Sequence, residues 1–554
     1  MVSNRTTRLA LAALQAASGT ASALANTTII SNTTTNSCSG KTFSFPQNQL
    51  LGTSVLDITA VPVFNYTAVS LAPGTSDGGS YTVSFCNVTV TYTHPGWNDT
   101  IHATVWLPAK ELWNGRLEAL GGGGYSGSFG ELYTTQAVAQ GYVSVDTDAG
   151  HVKGSSVSLT PETWALSSPG NVNLYLLEDW GSRSLHEMAV IGKAITQFFY
   201  GTQPSYSYFS GCSGGGRQAL MIAEKYADDF DGILAVAPAI NLENFIPAGY
   251  WAAHVMDNLG YYPPACEVEA FTQAAIDACD ELDGVQDSII SIPELCSFDP
   301  HTVVGQSINC SGTLLQLTEA GATVVEAAWT GAQSEDGKLG WWGLNKDASL
   351  TSYYAATTCT ANLTCSPGAA GLFSSYLTYF SAKDPDYDLT NMTDAEFFSF
   401  LKQSQDDYDS IMAAANPDLS AFRAAGGKMI SWQGLADEAI PPNGTVAYYQ
   451  QVLGMFSDAQ SFMRVFLAPG VGHCYGGLGA IPNTAFDQLI SWVEDGVAPE
   501  TLAAVDASGH PRELCAWPLQ QVYVGGNVSD STSYNCTPTT YPSFVDEYPF
   551  FTTN

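Results

Sequence analysis

Residues Gly211-Cys212-Ser213-Gly214-Gly215 form a G-x-S-x-G pattern set between a strand-like run, Tyr206 to Phe209, and a helix-like run, Gln218 to Tyr226. A chain that passes from strand to helix in so few residues holds its central residue at strained backbone angles, and only small neighbours leave room for it. The pattern therefore asks for a strand–turn–helix unit with the Ser213 hydroxyl exposed at its tip. The competing reading is a Gly-rich surface turn, and the strand and helix on either side weigh against it.

The surroundings supply a sheet for that unit. From Thr53 to Leu107 short β-like runs, such as Tyr81 to Phe85 and Val88 to Tyr92, alternate with turns containing Gly, Pro and Asn, as in an antiparallel region. Strands and helices alternate after that. Arg116 to Leu120 and Tyr142 to Asp146 read as strands. Ser184 to Tyr200 carries Leu185, Met188, Ala189, Ile191, Ile195 and Phe198 at helical spacing, and Gly232 to Val236 is an apolar strand. The pattern resumes at Lys428 to Trp432 and Met463 to Leu467, followed by a helix from about Ala485 to Glu494. This βαβ alternation predicts a mostly parallel sheet covered by helices. Between Pro238 and Leu419 the alternation is lost in Gly-rich, polar loops carrying Cys266, Cys279, Cys296, Cys310, Cys359 and Cys365, which reads as an insertion covering the site like a lid.

The 554 residues are 45% hydrophobic and only 13% charged, enough to bury a large core. A net charge of −35 repels phosphate backbones and anionic bilayers, so neither nucleic acid nor membrane is expected as a partner. Residues 1–25 read as a secretory signal: Arg5 and Arg8 precede an apolar stretch from Leu9, with small residues at Ala21, Ala23 and Ala25. Sequons at Asn65, Asn87, Asn98, Asn362, Asn391 and Asn527 fit glycosylation on an exported chain. The 12 cysteines, without C-x-x-C spacing, read as disulfides of an oxidising compartment.

A neutral serine hydroxyl needs a base within hydrogen-bond reach, and in this kind of α/β fold the order along the chain is Ser, Asp or Glu, then His. The choices are His254, His301, His473 and His510. His254 and His301 fall in the insertion, and His510 lies in a polar loop after Ala507-Ser508-Gly509. His473 alone follows a strand, through Pro469-Gly470-Val471-Gly472. The acid should follow the preceding strand, where Gly434-Leu435-Ala436-Asp437-Glu438 lies. Asp437 is the candidate, with the longer Glu438 beside it. Gly214 and an early glycine, Gly123 or Gly124 of Gly121-Gly122-Gly123-Gly124-Tyr125, are the candidate oxyanion donors. Cys212 precedes the serine and Cys474 follows the histidine; a bond between them would set their Cα atoms ~4.4–6.8 Å apart and force the two residues into proximity.

Within the insertion, Cys279-Asp280-Glu281-Leu282-Asp283-Gly284-Val285-Gln286-Asp287-Ser288-Ile289 sets three carboxylates around a glycine turn. Such hard oxygens suit calcium, and the plain alternative is a solvated acidic turn.

Taken together, Gly211 to Gln218, Gly472-His473-Cys474 and the Asp280 to Asp287 loop resemble the fungal tannase and feruloyl esterase family over nearly the whole mature chain. The resemblance implies an α/β-hydrolase catalytic domain over 26–238 and 420–554 and a lid domain over 239–419. It also implies a Ser213, Asp437 and His473 triad tied by a disulfide. Structural calcium is implied on Asp280, Asp283, Asp287 and the carbonyls of Val285 and Ile289, with a Cys279 to Cys296 bridge. Tyr261-Tyr262-Pro263-Pro264-Ala265-Cys266-Glu267 looks like the tannase side. Gly214 and Gln218 match neither side, and Glu438 and Gln433 stand where Pro and His are usual.

The expected activity is serine-dependent hydrolysis of small aromatic esters, galloyl or hydroxycinnamoyl, such as plant polyphenol or cell-wall esters. Trp251, Tyr261, Tyr262, Trp341 and Trp342 are available to line an acyl pocket. The rival from another class is a non-catalytic, calcium-stabilised extracellular binding module on the same fold.

Overall fold

The computed structural model describes residues 38–43, 50–72, 74, 79–151, 158–368, 371–538 and 541–544; the expected signal over 1–25 lies outside the described residues. Among them a nine-stranded sheet runs through the molecule. Its strands are β1 (Ser54–Ser70), β2 (Gly79–Thr93), β3 (Ile101–Pro108), β4 (Arg116–Leu120), β5 (Val143–Thr147), β6 (Tyr206–Cys212), β7 (Gly232–Val236), β8 (Lys428–Gly434) and β9 (Met463–Ala468). They lie in the order β1-β2-β3-β5-β4-β6-β7-β8-β9. The pairs from β1 to β5 are antiparallel, and those from β5 to β9 are parallel. This is the α/β-hydrolase arrangement, with the G-x-S-x-G turn on a central parallel strand.

Strands in the parallel half are apolar because helices cover both faces, and every residue of β5 and of β7 is buried. Helices α1 (Glu131–Ala139), α2 (Ser184–Tyr200) and α3 (Gly214–Lys225) follow the strands of the first half. The apolar stripe read on α2 faces the sheet, except that Phe198 is largely exposed. Gly192 brings α2 close, since a Cβ there would meet Val145 Cγ1 at 3.0 Å and Leu117 Cδ1 at 3.1 Å.

Three differences from the sequence reading have physical causes. The two β-like runs around Cys86 and Asn87 are one strand, because those residues stay paired with Pro62 and Val61. Two irregularities fall on β1 instead, between Val55 and Asp57 and between Val63 and Tyr66, where Asn65 has φ +50°. Cys86 is anchored to Cys38. At the C-terminal end, Thr501–Val505 pairs with Pro511–Cys515 and Leu519–Tyr523 with Tyr534–Pro538, joined by Cys515–Cys536; these half-exposed hairpins carry little apolar signal.

The chain leaves the sheet at β7 and returns at the adjacent β8, so residues 237–427 leave and re-enter it side by side. They form α4 (Leu242–Ala248), α5 (Trp251–Leu259), α6 (Ala265–Cys279), α7 (Glu319–Thr330) and α8 (Asp394–Met412), with short hairpins between. Disulfides Cys266–Cys310, Cys279–Cys296 and Cys359–Cys365 cross-link this segment. Its Phe245, Phe271, Trp341 and Phe397 share one apolar core with Val145, Ile191 and Leu220 of the sheet and its helices. After β8 come α9 (Pro442–Met455) and, beyond β9, α10 (Ala485–Asp495). Among the described residues no helix is long and apolar enough to cross a membrane.

Candidate active site

Ser213 sits between the end of β6 and the first residue of α3 with φ +64° and ψ −121°, a region that L-residues avoid. Its N–H donates to Val236 O at 3.0 Å, and its carbonyl accepts from Arg217 N and Ala239 N, so both flanks hold the strained turn. The glycines are required sterically. A Cβ on Gly211 would lie 2.6 Å from the Gly215 carbonyl, and one on Gly215 would lie 2.8 Å from Gly122 O.

His473 follows β9 and Asp437 follows β8. The His473 Nδ1 is 3.0 Å from Asp437 Oδ2. Asp437 is completely buried, yet each of its oxygens is satisfied: Oδ1 accepts from Ala439 N and Ile440 N at 2.9 Å, and Oδ2 accepts from Gln433 Nε2 at 2.7 Å. Gln433 is fixed in turn by Thr445 Oγ1 at 3.1 Å. Glu438 does not reach the imidazole; its Oε2 accepts the main-chain N–H of His473 at 2.9 Å. The adjacent acids thus hold different atoms of one histidine. Burial alone would lower the His473 pKa, but the charge and hydrogen bond of Asp437, with the charge of Glu438, outweigh it and leave the imidazole above its usual 6.5.

Cys212 and Cys474 are bonded with Cα atoms 5.9 Å apart, which brings Ser213 and His473 to the same wall. Both line a cavity of about 360 Å³, although Ser213 Oγ and His473 Nε2 do not form a hydrogen bond in this structure. Catalytic hydrogen bonds are often long without substrate. The other three candidate histidines are occupied elsewhere: His254 with Asp394, His301 with Glu319, and His510 with Asp506.

Gly123, Gly124 and Gly214 border the cavity beside Ser213. A Cβ on Gly214 would meet Gly124 O at 3.0 Å and Gly123 Cα at 3.1 Å, so the two glycine segments are in direct contact. Gln218 braces the earlier one. Buried on α3, it accepts from Gly122 N at 3.0 Å and donates to Gly127 O at 3.1 Å. Gly215 N donates to Gly122 O at 2.9 Å, completing the connection.

Apart from Glu438, the rest of the wall is apolar or phenolic, with Phe129, Tyr133, Leu242, Phe245, Ile246 and Tyr353 prominent. The tryptophans and tyrosines singled out in the sequence do not line it. Trp341 and Trp342 are buried against each other, with Trp341 packed on Gly444. Trp251 packs on Phe397 and Phe398, while the hydroxyls of Tyr261 and Tyr262 donate to Glu267 and Asp257. Composition placed aromatics in the insertion; the wall depends on which helix face meets β6 and β9, and that follows from tertiary packing.

In the acidic loop, Gly284 at φ +89° turns the chain. Asp280 Oδ1 accepts the N–H groups of Asp287, Ser288 and Ile289, and Asp283 Oδ1 that of Val285. Burial, with the charges of Asp283 and Asp280, pushes the Asp287 carboxyl up to about 6. Carboxylate and carbonyl oxygens are the hard donors a divalent cation takes, but the three carboxylates do not all bring oxygens within 4.8 Å of one another. The one described trio of His, Cys, Asp or Glu ligand atoms lying within 4.8 Å of one another is elsewhere, at His94, Asp99 and Asp179. There His94 Nδ1 bonds Asp99 directly at 2.5 Å.

Residues 86–537 match the tannase and feruloyl esterase family. The chain belongs to that family. It is 39% identical to a probable feruloyl esterase of Arthroderma benhamiae over 502 residues, covering 88% of this chain and 92% of that one. It is 28% identical to a tannase of Aspergillus oryzae over 601 residues, covering 97% and 98%. The solved structure of a tannin acyl hydrolase from Aspergillus niger superposes with a TM-score of 0.82 at 26% identity, covering 93% of this chain and 97% of that one. The protein is accordingly a carboxylic ester hydrolase.

The glycine brace gives a first prediction. Gln218→Leu strands a buried N–H and a buried carbonyl, so stability falls by about 2 kcal/mol or more. The urea midpoint drops at constant m-value; an unchanged midpoint contradicts the brace.

Proposed function

We propose that the protein is a serine esterase acting on esters of phenolic acids, with Ser213 as nucleophile, His473 as general base and Asp437 as the group that orients and stabilises the imidazole. The observation that carries this reading is the strained Ser213 turn facing a histidine whose Nδ1 is held 3.0 Å from a buried, fully satisfied carboxylate. With Asp437 on Nδ1, the tautomer leaves Nε2 free to take the serine proton. Ser213 Oγ then attacks the ester carbonyl, and the oxyanion is held by the Gly214 amide and that of Gly123 or Gly124. The histidine returns the proton to the departing alcohol, and water completes hydrolysis of the acyl-enzyme.

The wall favours a hydroxycinnamoyl over a galloyl acyl group. Leu242, Phe245, Ile246 and Phe129 would bury a flat ring and offer three vicinal hydroxyls no partner, leaving the phenols and Glu438 elsewhere on the wall to meet them. The lid reading of 239–419 is supported by Ala239, Leu242, Phe245, Ile246, Tyr353 and Leu372 on the cavity wall, against the catalytic domain of 26–238 and 420–554. Secretion is supported by the apolar leader and six disulfides, and glycosylation by the exposure of Asn65, Asn98, Asn362, Asn391 and Asn527; Asn87 is half-buried in β2.

When bound, calcium would supply a charge that draws the acidic loop together and takes no part in the reaction. Asp280, Asp283, Asp287 and the carbonyls of Val285 and Ile289 would hold it. The loop flanks a cavity of about 260 Å³ that also includes Arg512 and Tyr534 of the C-terminal hairpins.

Three outcomes follow. Wild-type protein cleaves methyl ferulate faster than methyl gallate and takes up a fluorophosphonate, whereas Ser213→Ala loses about 10⁴-fold or more in kcat and all labelling. Persistent labelling of Ser213→Ala contradicts the nucleophile, and an unlabelled wild type favours the binding module. Because the base must be neutral and its folded pKa is raised, kcat/KM falls as pH drops through a midpoint above 6.5; a midpoint below 6.5 contradicts His473 as placed. Chelation lowers Tm, and calcium restores it, with fluorophosphonate labelling retained at 20 °C; an unchanged Tm speaks against the ion.

A further inference from the structure

Glu438 is the one carboxylate on the wall of the catalytic cavity, and among the described residues no Lys or Arg lines it. It sits next to Asp437 in the chain but contacts a different part of the histidine, the main-chain N–H at 2.9 Å. It also lies close beneath Gly472, where an added Cβ would be 3.1 Å from its Oε2. Among the described residues, the titratable groups facing the imidazole or this carboxylate are Asp437, Tyr353 and Tyr475, with Tyr354 facing Asp437; no cation is among them. Tyr475 is more than half exposed, which puts this side of the cavity next to solvent.

The position of the histidine decides which half of an ester Glu438 meets. In the mechanism proposed above, on which this inference rests, Nε2 hands its proton to the leaving oxygen, so the alcohol half lies beside His473. In the same mechanism the acyl half is left to the apolar wall, which includes Phe129, Leu242, Phe245 and Ile246. A carboxylate bonded to the main chain of His473 therefore borders the alcohol.

We propose that Glu438 is a specificity-determining and positioning residue: it rejects esters whose alcohol half carries a negative charge and admits neutral, hydroxyl-bearing alcohols, while its hydrogen bond seats the His473 main chain. A like charge about 12 Å away in a medium of effective dielectric near 20 changes a rate constant by roughly tenfold, and a closer one by more. A neutral alcohol can donate its hydroxyls to the free lone pairs of the same carboxylate. The overall charge of −35 adds a diffuse repulsion, which a single substitution leaves in place, so the local effect is separable.

The test uses an isosteric pair built on whichever acyl group the wild type cleaves fastest as its methyl ester: the acyl ester of glycolate, an anion, and that of glycolamide, neutral. Kinetics are compared for wild type, Glu438→Gln and Glu438→Ala at 0.02 M and 0.5 M salt. Wild type should prefer the glycolamide ester by about tenfold or more at low salt. Glu438→Gln, which keeps an oxygen for the His473 N–H, should shrink that preference at least about fivefold and move the acidic limb of kcat/KM to lower pH. Glu438→Ala should shrink it equally and also lower kcat on the neutral ester. An unchanged preference and an unmoved limb in Glu438→Gln overturn the inference while leaving the esterase reading intact. Absence of serine-dependent cleavage of any methyl ester by the wild type instead overturns the reading on which it rests.

Discussion

The disulfide between Cys212 and Cys474 is the constraint on which the site depends. It joins residues 262 apart in sequence, the end of β6 and the loop after β9, and each cysteine is the chain neighbour of a residue in the proposed chemistry. Cross-linking a loop of that length limits the unfolded chain by on the order of 5 kcal/mol in the entropic account. The whole of 237–427 lies inside the loop, so the insertion is free to pack over the cavity without setting the distance between serine and histidine. The strained conformations on both sides, φ +64° at Ser213 and +67° at Cys474, persist because bond, sheet and glycine contacts over-determine them.

Around that staple the polar groups divide the work between them. Asp437 spends its oxygens on one imidazole nitrogen, two main-chain amides and Gln433, and Glu438 takes the histidine main chain. Gln218 performs the corresponding task for the glycine segment facing Ser213. Each is a buried or half-buried side chain whose value lies in satisfying backbone groups that would otherwise lose water without compensation. The remainder of the wall is apolar or phenolic, so Glu438 is its one carboxylate.

Much of this was legible in the sequence because local signals agreed with one another. β4 and β7 and helix α2 begin and end where periodicity places them, since strands buried on both faces and a long amphipathic helix have patterns that survive packing. The serine turn, the histidine and its acid were readable from small residues and strand ends. The partner of the histidine N–H and the wall of the cavity were not. Glu438 and Asp437 are adjacent acids, and only the fold of the turn after β8 separates their roles. Trp341 and Phe245 are both buried aromatic residues of the insertion, and only packing brings Phe245 to the cavity wall while Trp341 stays away from it. Nor could residues 79–93 be seen as one strand, because pairing with β1 overrode the turn propensity of Asn87.

The central claim, that the staple is what keeps Ser213 in reach of its base, is tested most directly by the rate of fluorophosphonate labelling in a Cys212→Ala/Cys474→Ala double variant. Labelling is followed at 20 °C alongside circular dichroism. The account predicts a folded protein whose Ser213 is labelled at least about tenfold more slowly than in the wild type, as expected for a nucleophile displaced from its base. A folded double variant labelled at the wild-type rate would contradict it.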